Sequence, residues 1–488
     1  MKSAIRLSDF DFTSPMLRKC KFINRTDAMI VLRAEQAPPL QFVLQGYDRK
    51  DLFFGTKVLL NFFQKIAGVR GGAPCEIFKN KSSFRKIEYE VDMNVESITL
   101  ENYRNVQNET VRFSKGLNIL YGENGAGKTN LLEAVSLFAI CKSHRTGKDS
   151  DLILHGAENA HLSMCYGSDF DRADTVRRSE IRYFSDGKKR LYYEGVPIGK
   201  VSEFVGRFRA VLFTPDHLSL IKGSPEERRK FCDMALAQIK PGYIRCLNEY
   251  YACLNQRNAL LKQLRDTGSN DRVLLTVYTE SICKLGAKIV RQRMLFCRYL
   301  QELAQLFYRE ISGDSERLFI RYYGNIKDID PYDMPSETRI GNELLALYAE
   351  NIDSEVRQGI TRYGPHRDDF LFFLGKISDN DDCCDNDSVH QKEIEFSART
   401  FASQGQQRST VLALKLSEGE MMEKLAGEQP VYLFDDVLSE LDINRRERFL
   451  SVFQNKQVLL TCCDEKIARS LSGRKIYVEN GRYSIREE

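Results

Sequence analysis

Gly122-Glu-Asn-Gly-Ala-Gly-Lys-Thr129 is the stretch of sequence that decides the fold. It fits the pattern GxxxxGK(S/T), in which a glycine-rich loop joins a strand to a helix. The flanking segments agree with this pattern. Leu117–Tyr121 has the short apolar character of a strand, and helical periodicity follows from Asn130 to Ile140. The sequence therefore predicts a phosphate-binding loop near the start of an α/β domain.

Each residue type in this loop has a chemical task. Glycines let the backbone curl so that successive N–H groups point at phosphate oxygens, and the following helix adds its positive end. Lys128 supplies a cation to the β and γ phosphates and is predicted to be catalytic, while the Thr129 hydroxyl can join an octahedral Mg²⁺ shell. The predicted ATP ligands are Gly122, Glu123, Asn124, Gly125, Ala126, Gly127, Lys128 and Thr129.

An acidic pair follows a second apolar strand, Val431–Phe434. A nucleotide loop of this kind requires a carboxylate at the end of a buried strand to hold Mg²⁺, and Asp435 is the predicted residue. The predicted metal ligands are therefore Thr129 and Asp435. Asp436 is predicted to be catalytic because, beside the γ phosphate, it can orient or deprotonate the attacking water. Alone, such a strand end could be only a turn, but together with the loop it indicates nucleotide hydrolysis.

Ser403-Gln-Gly-Gln-Gln-Arg408, here named the signature segment, precedes a helical stretch from Val411 to Leu425. Its serine, glycine and helix start form a second anion-binding surface, although an ordinary helix N-cap would leave the same pattern. Because the chain already has one phosphate loop, we expect this segment to bind the γ phosphate held by a second copy, in a two-fold homodimer. Ser439-Glu-Leu-Asp442 would lie at the same interface. The predicted nucleotide contacts here are Ser403, Gly405 and Gln406.

A helical block interrupts the α/β domain. Helical periodicity extends from about Glu226 to Arg309, with a short break at Asp266–Asp271. Strand character returns at Phe370–Leu374, Ile394–Phe396, Val431–Phe434 and Val458–Leu460. The predicted segments are a basic extension (1–93), a first ATPase part with the phosphate loop (94–210), a largely helical lobe (211–360) and a second ATPase part with the signature segment and the acidic pair (361–488).

Composition argues against several other classes of protein. At 488 residues the chain is long enough for several domains. Its apolar runs are too short for a membrane-spanning helix and its N-terminus lacks a signal-peptide core, so the cytoplasm is the expected compartment. The 13 cysteines form no CxxC pair, which disfavours a disulfide framework or a zinc ribbon. Ser378–Gln391, rich in aspartate and asparagine, is predicted to be a mobile acidic loop rather than a metal site.

Charge is distributed unevenly along the chain. Residues 1–93 hold 16 lysines and arginines against 10 aspartates and glutamates, whereas the rest of the chain is slightly acidic. This basic excess could contact phosphate backbones, but a merely solvated surface is an equally good interpretation.

The set and order of these motifs resembles the ABC-type heads of the SMC and RecF superfamily. Three further segments are similar specifically to the RecF family: Lys142–Thr146, Pro215–Asp233 and Tyr363–Asp369. Gln256–Lys262, in the helical block, is also similar to that family. SMC heads carry long heptad helices, whereas this helical block is short and lacks sustained heptads. The resemblance therefore favours RecF over SMC, and it covers residues 94–488.

This resemblance implies an ABC-type ATPase head, a P-loop NTPase with a mixed sheet flanked by helices and interrupted by a mainly helical lobe. Residues 1–93 lie outside the family pattern and are expected to form a small N-terminal α+β extension. The resemblance also implies a weak ATPase that uses ATP and Mg²⁺, dimerises on ATP, and binds DNA at gaps or at junctions of single and double strands. RecO and RecR would be its partners in placing RecA on single strands, during recombinational repair, replication and the SOS response. No membrane partner is implied.

Another ABC-type machine, SMC-like or the ATPase subunit of a transporter, is the alternative. A transporter subunit has its signature on the order of a hundred residues after the loop, whereas roughly 280 separate the two here. Cys462 and Cys463 stand where transporter ATPases carry a histidine that senses the γ phosphate, and RecF-like proteins similarly lack it. Slow turnover is therefore expected. His217 and Cys232 stand where the family usually has an acid and an aliphatic residue.

Histidines and arginines in the family-like segments allow two interpretations. His144 and His366 are predicted to be hydrogen-bonded structural residues, since a lone histidine is more often structural than catalytic. The arginines could contact nucleotide or DNA phosphates, or equally form ion pairs within the chain. These arginines are Arg145, Arg228, Arg229 and Arg367.

Overall fold

The chain divides into two compact units, Met1–Glu88 and Tyr89–Glu488. The computed structural model describes the backbone of residues 20–25, 29–34 and 40–43, and then residues 93–168, 176–269, 272–313, 316–325, 334–376, 395–438, 446, 449–453 and 455–486. In the first unit, an antiparallel sheet has the strand order β1-β2-β3, with β1 (Cys20–Arg25), β2 (Met29–Ala34) and β3 (Leu40–Val43). The predicted acidic loop at 378–391 and the segment 439–442 lie outside the described residues.

The second unit carries all the predicted site residues. Its strands are β4 (Met93–Tyr103), β5 (Val106–Arg112), β6 (Leu117–Tyr121), β7 (Asn159–Ser168), β8 (Val176–Phe184), β9 (Lys189–Tyr193), β10 (Val196–Ile198), β11 (Ala210–Phe213), β12 (Glu316–Tyr323), β13 (Asp369–Lys376), β14 (Glu395–Ser397), β15 (Val431–Phe434), β16 (Val458–Cys462), β17 (Arg474–Glu479) and β18 (Arg482–Ile485). Its helices are α1 (Lys128–Ile140), α2 (Val201–Phe204), α3 (Ser219–Lys222), α4 (Pro225–Ile239), α5 (Tyr243–Thr267), α6 (Val273–Ser312), α7 (Glu337–Gln358), α8 (Ala398–Phe401), α9 (Gln404–Ala426) and α10 (Glu465–Ser470).

A six-stranded sheet in the order β11-β15-β16-β6-β17-β18 positions the site. The first five strands pair in parallel, and only β17 and β18 are antiparallel to each other. Every residue of β15 and β16 is buried, as expected for strands covered on both faces. Because the carboxyl ends of parallel strands lie at one edge, the loops after β6, β11, β15 and β16 meet there. The glycine-rich loop and the acidic pair are two of these four.

Helix α1 fills the space between this sheet and a second one. The second sheet is antiparallel, in the order β10-β9-β8-β7-β4-β5. Leu131 and Val135 of α1 share one hydrophobic core with Leu162 of β7 and Leu433 of β15. A helix that is apolar on all sides is stable only when it is covered on all sides. The segment after the glycine-rich loop is therefore held rigidly by both sheets.

A helical lobe interrupts the sheet strands, as predicted. Helices α4 to α7 and α9 pack with the small sheet β12-β13-β14 around a second core. Helix α5 ends at Thr267 and α6 begins at Val273, each within two residues of the predicted break at Asp266–Asp271. Two boundaries differ from those read from the sequence. Strand β11 pairs with β15 in the parallel sheet, so the predicted boundary between the first ATPase part (94–210) and the helical lobe (211–360) falls inside this strand. Helix α9 begins at Gln404 rather than Val411, because the signature segment itself forms the first turn.

The α/β architecture with a helical interruption is thus confirmed. None of the helices in the described part of the chain combines the length and apolar character needed to span a membrane.

Candidate nucleotide site

The glycine-rich loop adopts a backbone that its glycines make possible. Gly122, Gly125 and Gly127 have φ of +148°, +80° and +117°. Residues with a Cβ rarely adopt such values. At Gly122 space is limiting as well, because a Cβ would lie 2.2 Å from the carbonyl oxygen of Val478 in β17. The tight curl of the loop therefore depends on the absence of side chains.

Two neighbouring turns hold the far end of the loop. The carbonyl of Ala126 accepts the backbone N–H of Gly481 at 2.8 Å and the side-chain amide of Asn105 at 3.3 Å. The hydroxyl of Tyr483 donates to the carbonyl of Gly127 at 3.0 Å. None of these three supporting residues was predicted from the sequence. They come from a β4–β5 turn and a C-terminal hairpin, and only the three-dimensional fold brings them to the loop.

Lys128 lies inside the curl of the loop. Its ammonium group donates to the carbonyls of Gly122 and Glu123, each at 2.7 Å. The residue is only 6 % exposed, so its charge is directed into the loop rather than into solvent. Asn124, on the exposed outer side of the loop, accepts a hydrogen bond from the Cys463 thiol at 2.9 Å. Burial raises the pKa of that thiol despite the nearby Lys128.

The loop and the acidic pair meet at the edge of the sheet. The Thr129 hydroxyl donates to Asp435 Oδ1 at 3.0 Å, although 306 positions separate the two residues. The Asp435 backbone N–H in turn donates to the carbonyl of Phe213 at 2.9 Å, which fixes the end of β15 against β11. A hydroxyl and a carboxylate are the hard oxygen donors that Mg²⁺ prefers. The two residues predicted as metal ligands therefore fit that ion and stand next to each other.

Thr461 also contacts the acidic pair, although it was not among the predicted residues. Its hydroxyl donates to Asp435 Oδ1 at 2.7 Å and accepts the backbone N–H of Asp436 at 2.9 Å. Asp436 has a left-handed backbone, with φ of +51°. Thr461 reaches the acidic pair because its strand, β16, lies between β15 and β6. That order is not readable from the sequence.

The signature segment caps helix α9. Ser403 Oγ accepts the backbone N–H of Gln406 at 3.2 Å, and the Gln406 side chain accepts the backbone N–H of Ser403 at 2.7 Å. Gln406 also donates to Glu316 of β12 at 2.5 Å. The N-cap interpretation is therefore correct within one chain. Ser403 is exposed, Gly405 is half-buried, and the hydrogen bonds of this cap connect it to α9 and β12 rather than to the glycine-rich loop.

Comparison with known proteins agrees with these motifs. Residues 94–480 match the family model of the RecF/RecN/SMC N terminal domain. The DNA replication and repair protein RecF of Acetivibrio thermocellus is 35 % identical over 80 % of this chain and 99 % of its own. The corresponding protein of Geobacillus kaustophilus is 38 % identical over 74 % of this chain and 90 % of its own. The chain belongs to the RecF family.

Solved RecF structures share the fold. Two structures of the recombination mediator protein RecF in the RecFOR pathway, RecF-ATPrS and RecF-ATP, superimpose with TM-scores of 0.71 and 0.70 at 29 % identity. They cover 82 % and 81 % of this chain, and this chain covers 100 % of each. The fold is thus the ABC-type ATPase head of the RecF family, as the motifs predicted.

The first RecF-like segment, after α1, supports the helix that carries Lys128. Glu133 of α1 is fully buried and accepts from the guanidinium of Arg104 at 2.7 and 2.9 Å, from the Tyr103 hydroxyl at 2.9 Å and from the Ser143 hydroxyl at 2.6 Å. Burial alone would raise the pKa of Glu133, but these donors outweigh it and lower the pKa. Arg145 also reaches Glu133 at 3.5 Å. This segment thus anchors a buried carboxylate behind the glycine-rich loop.

The other two RecF-like segments contact each other. Arg228 forms a two-point ion pair with Asp369 at 2.7 and 2.9 Å, and Arg229 donates to the backbone carbonyl of Asp368 at 2.7 Å. For Arg228 the ion-pair interpretation is therefore correct. Arg367 is exposed, and its contact with a phosphate stays a prediction.

The two histidines of the RecF-like segments differ. His366 shares a hydrogen bond with the Tyr250 hydroxyl at 2.7 Å and another with the carbonyl of Thr361 at 3.2 Å, so it is hydrogen-bonded within the fold, as predicted. Burial lowers its pKa to about 4, so the ring is neutral at pH 7. His144 Nδ1 is buried and has no hydrogen-bond partner within the described residues. Burial lowers the pKa of His144 as well, although Glu133 opposes the shift.

Proposed function

We propose that this RecF-family protein is an ATP-dependent DNA-binding protein of recombinational repair and replication, with weak ATPase activity. The observation that carries the proposal is the contact between Thr129 and Asp435 beside the buried Lys128, at the carboxyl edge of the parallel sheet. A phosphate loop and an acidic strand end in this relation are the parts that a P-loop ATPase requires. The name of its relatives, DNA replication and repair protein RecF, supports the DNA part of the proposal.

In this proposal each residue has one task. The backbone from Gly122 to Thr129 surrounds the phosphates of ATP, and Lys128 neutralises the β and γ phosphates. Thr129 and Asp435 hold Mg²⁺, whose charge stabilises the phosphates during hydrolysis. Asp436 orients or deprotonates the attacking water.

The active form in this proposal is an ATP-bound homodimer. Helix α9 has 23 residues, and its first turn presents N–H groups and the positive end of the helix at an exposed position. The hydrogen bonds of this anion-binding surface connect it to α9 and β12 rather than to the glycine-rich loop of the same chain. The surface therefore fits a γ phosphate held by a second copy. Ser403, Gly405 and Gln406 would then complete the partner's site. Two such contacts would close the dimer around two nucleotides.

The DNA substrate proposed is a gap or a junction between single-stranded and double-stranded DNA. There the dimer would work with RecO and RecR to assist RecA loading. The RecFOR pathway, to which the recombination mediator protein RecF of the two similar solved structures belongs, supports RecO and RecR as partners.

Nucleotide-dependent dimerisation tests the proposal. Light scattering of the full chain should give a monomer without nucleotide and a dimer with ATP. Lys128→Ala should abolish the ATP-dependent dimer, whereas Asp436→Asn should dimerise normally and hydrolyse ATP poorly. Lys188→Ala, which removes a lysine that is 80 % exposed, is the matched control and should behave as the wild type. A dimer that forms equally well without nucleotide would contradict the proposal.

DNA binding is tested separately. The affinity for gapped, single-stranded and duplex DNA should be measured with and without ATP over a salt series. Affinity falls more steeply with salt concentration when the protein contacts more DNA phosphates, because each contact releases counterions. Tighter binding to gapped DNA with ATP is expected. Equal affinity with and without ATP for all three DNAs would rule out ATP-dependent DNA binding.

A further inference from the structure

The hydroxyl of Thr461 links the two members of the acidic pair. It donates to Asp435 Oδ1 at 2.7 Å and accepts the backbone N–H of Asp436 at 2.9 Å. Thr461 is only 1 % exposed, and hydrogen bonds are stronger away from water than in it. One side chain thus holds the carboxylate of Asp435 and the backbone of Asp436.

Asp436 has a conformation that benefits from such a contact. Its φ of +51° lies in the left-handed region, which is disfavoured for residues with a Cβ. The direction in which its side chain leaves the backbone depends on that φ. A bond to the N–H of Asp436 therefore helps to determine where its carboxylate points.

The position of Thr461 in the sheet makes this contact rigid. Strand β16 lies between β15, which precedes the acidic pair, and β6, which precedes the glycine-rich loop. Thr461 pairs with Leu120 of β6, while the preceding Leu460 pairs with Phe434 of β15. A β-branched side chain on a central strand has few rotamers. Groups on rigid elements hold catalytic side chains more accurately than groups on loops.

We infer that Thr461 is a positioning residue for ATP hydrolysis, which directs Asp436 toward the attacking water by holding its backbone in the left-handed conformation. The inference rests on the proposed function, in which Asp436 acts on that water. Thr461 itself contacts neither nucleotide nor water in this role.

A role through Asp435 alone is the competing explanation. Asp435 Oδ1 also accepts the Thr129 hydroxyl at 3.0 Å, so it keeps one hydroxyl partner when Thr461 is replaced. The backbone N–H of Asp436 loses the acceptor that Thr461 provides. Loss of the Thr461 hydroxyl is therefore expected to impair the step that needs Asp436 more than nucleotide binding.

Three variants of the full chain test the inference. Thr461→Val keeps the branched shape and removes the hydroxyl, Thr461→Ser keeps the hydroxyl, and Thr461→Val combined with Asp436→Asn asks whether the two residues act together. ATP affinity, kcat, KM and the lifetime of the ATP-bound dimer should be measured for each, with thermal unfolding as a check of folding.

The expected result separates hydrolysis from binding. Thr461→Val should bind ATP within about twofold of the wild type, lose about tenfold or more in kcat, and form a longer-lived ATP-bound dimer. Thr461→Ser should restore kcat. In the Asp436→Asn background, Thr461→Val should cause little further loss, because residues that act through one another are not additive.

Two results would overturn the inference while leaving the proposed function intact. One is a wild-type kcat in a folded Thr461→Val protein. The other is a loss of ATP affinity in that variant as large as the loss of kcat, since this would assign Thr461 to the support of Asp435. Failure of the wild type itself to hydrolyse ATP would overturn the proposed function, and this inference with it.

Discussion

Arg228 and Asp369 join two distant RecF-like segments through a buried, two-point ion pair. Nε and Nη2 of Arg228 donate to the two carboxylate oxygens of Asp369 at 2.7 and 2.9 Å, and Nη1 donates to the carbonyl of Gly223 at 2.9 Å. Only 3 % of the arginine side chain and 13 % of the aspartate side chain are exposed. Helix α4 is thus fixed to the start of β13.

Replacement of Arg228 by lysine should destabilise the fold. A lysine keeps the charge but lacks the planar group that bonds to both oxygens of Asp369 and to Gly223 at once. We expect the free energy of unfolding to fall by about 3 kcal/mol, because a buried charge would be left poorly paired. Urea unfolding measures the change. Arg245→Lys, in an exposed pair with Glu249, is the control and should change the free energy by less than about 0.5 kcal/mol.

Glu133→Gln should weaken the support behind the phosphate loop. The buried carboxylate accepts four hydrogen bonds from Arg104, Tyr103 and Ser143, and loss of its charge leaves the Arg104 guanidinium without its ionic partner. A loss of about 3 kcal/mol or more in the free energy of unfolding is expected. The control is Glu465→Gln, in an exposed pair, with a loss below about 0.5 kcal/mol. Equal urea midpoints for the two variants would contradict the prediction.

Gly122→Ala should weaken nucleotide binding for a steric reason. Its Cβ would lie 2.2 Å from the carbonyl oxygen of Val478, so either the loop or strand β17 has to move. We expect ATP affinity, measured by calorimetry, to fall by about tenfold or more. Gly116→Ala is the control, because a Cβ there meets no atom within 4 Å, and it should bind as the wild type. An unchanged affinity for Gly122→Ala would show that the loop does not need this close approach.

Local sequence patterns predicted the parts of the site that are contiguous in the chain. The loop before α1 and the acidic pair after β15 carry their signals within a few residues, and the structure brings Thr129 and Asp435 into contact. Thr461, Asn105 and Tyr483 carry no such signal, because their roles come from the strand order and from turns far along the chain.

Boundaries were predicted less well than motifs. Helix α9 begins seven residues earlier than its apolar periodicity suggests, because a capping box starts it at polar residues. Strand β11 continues the parallel sheet rather than opening the helical lobe, since its four residues pair with β15. Pairing of strands far apart in the chain is not visible in local periodicity.

Asp368 should make stability depend on pH in a direction opposite to that of most carboxylates. Burial raises its pKa to about 6, although the hydrogen bond from Tyr322 and the nearby charges of Arg293 and Arg229 act in the opposite direction. A carboxyl whose pKa is higher in the folded state than in the unfolded state, where it is 3.8, binds its proton more tightly when folded. Its contribution to stability is therefore fully present below pH 3.8 and is lost as the pH rises to about 6.

Asp368→Asn isolates this contribution, because the amide does not titrate and all other groups are shared. The free energy of unfolding of the wild type minus that of the variant should increase by about 2 kcal/mol as the pH falls from 7 to 4.5, which is most of the roughly 3 kcal/mol that the raised pKa gives in full below pH 3.8. Urea midpoints at pH 7, 5.5 and 4.5 measure it. The variant keeps an oxygen that can accept from Tyr322, so the comparison changes mainly the ability to titrate. A difference that stays constant across these pH values would mean that Asp368 is ionised in the folded protein throughout, and it would contradict the prediction.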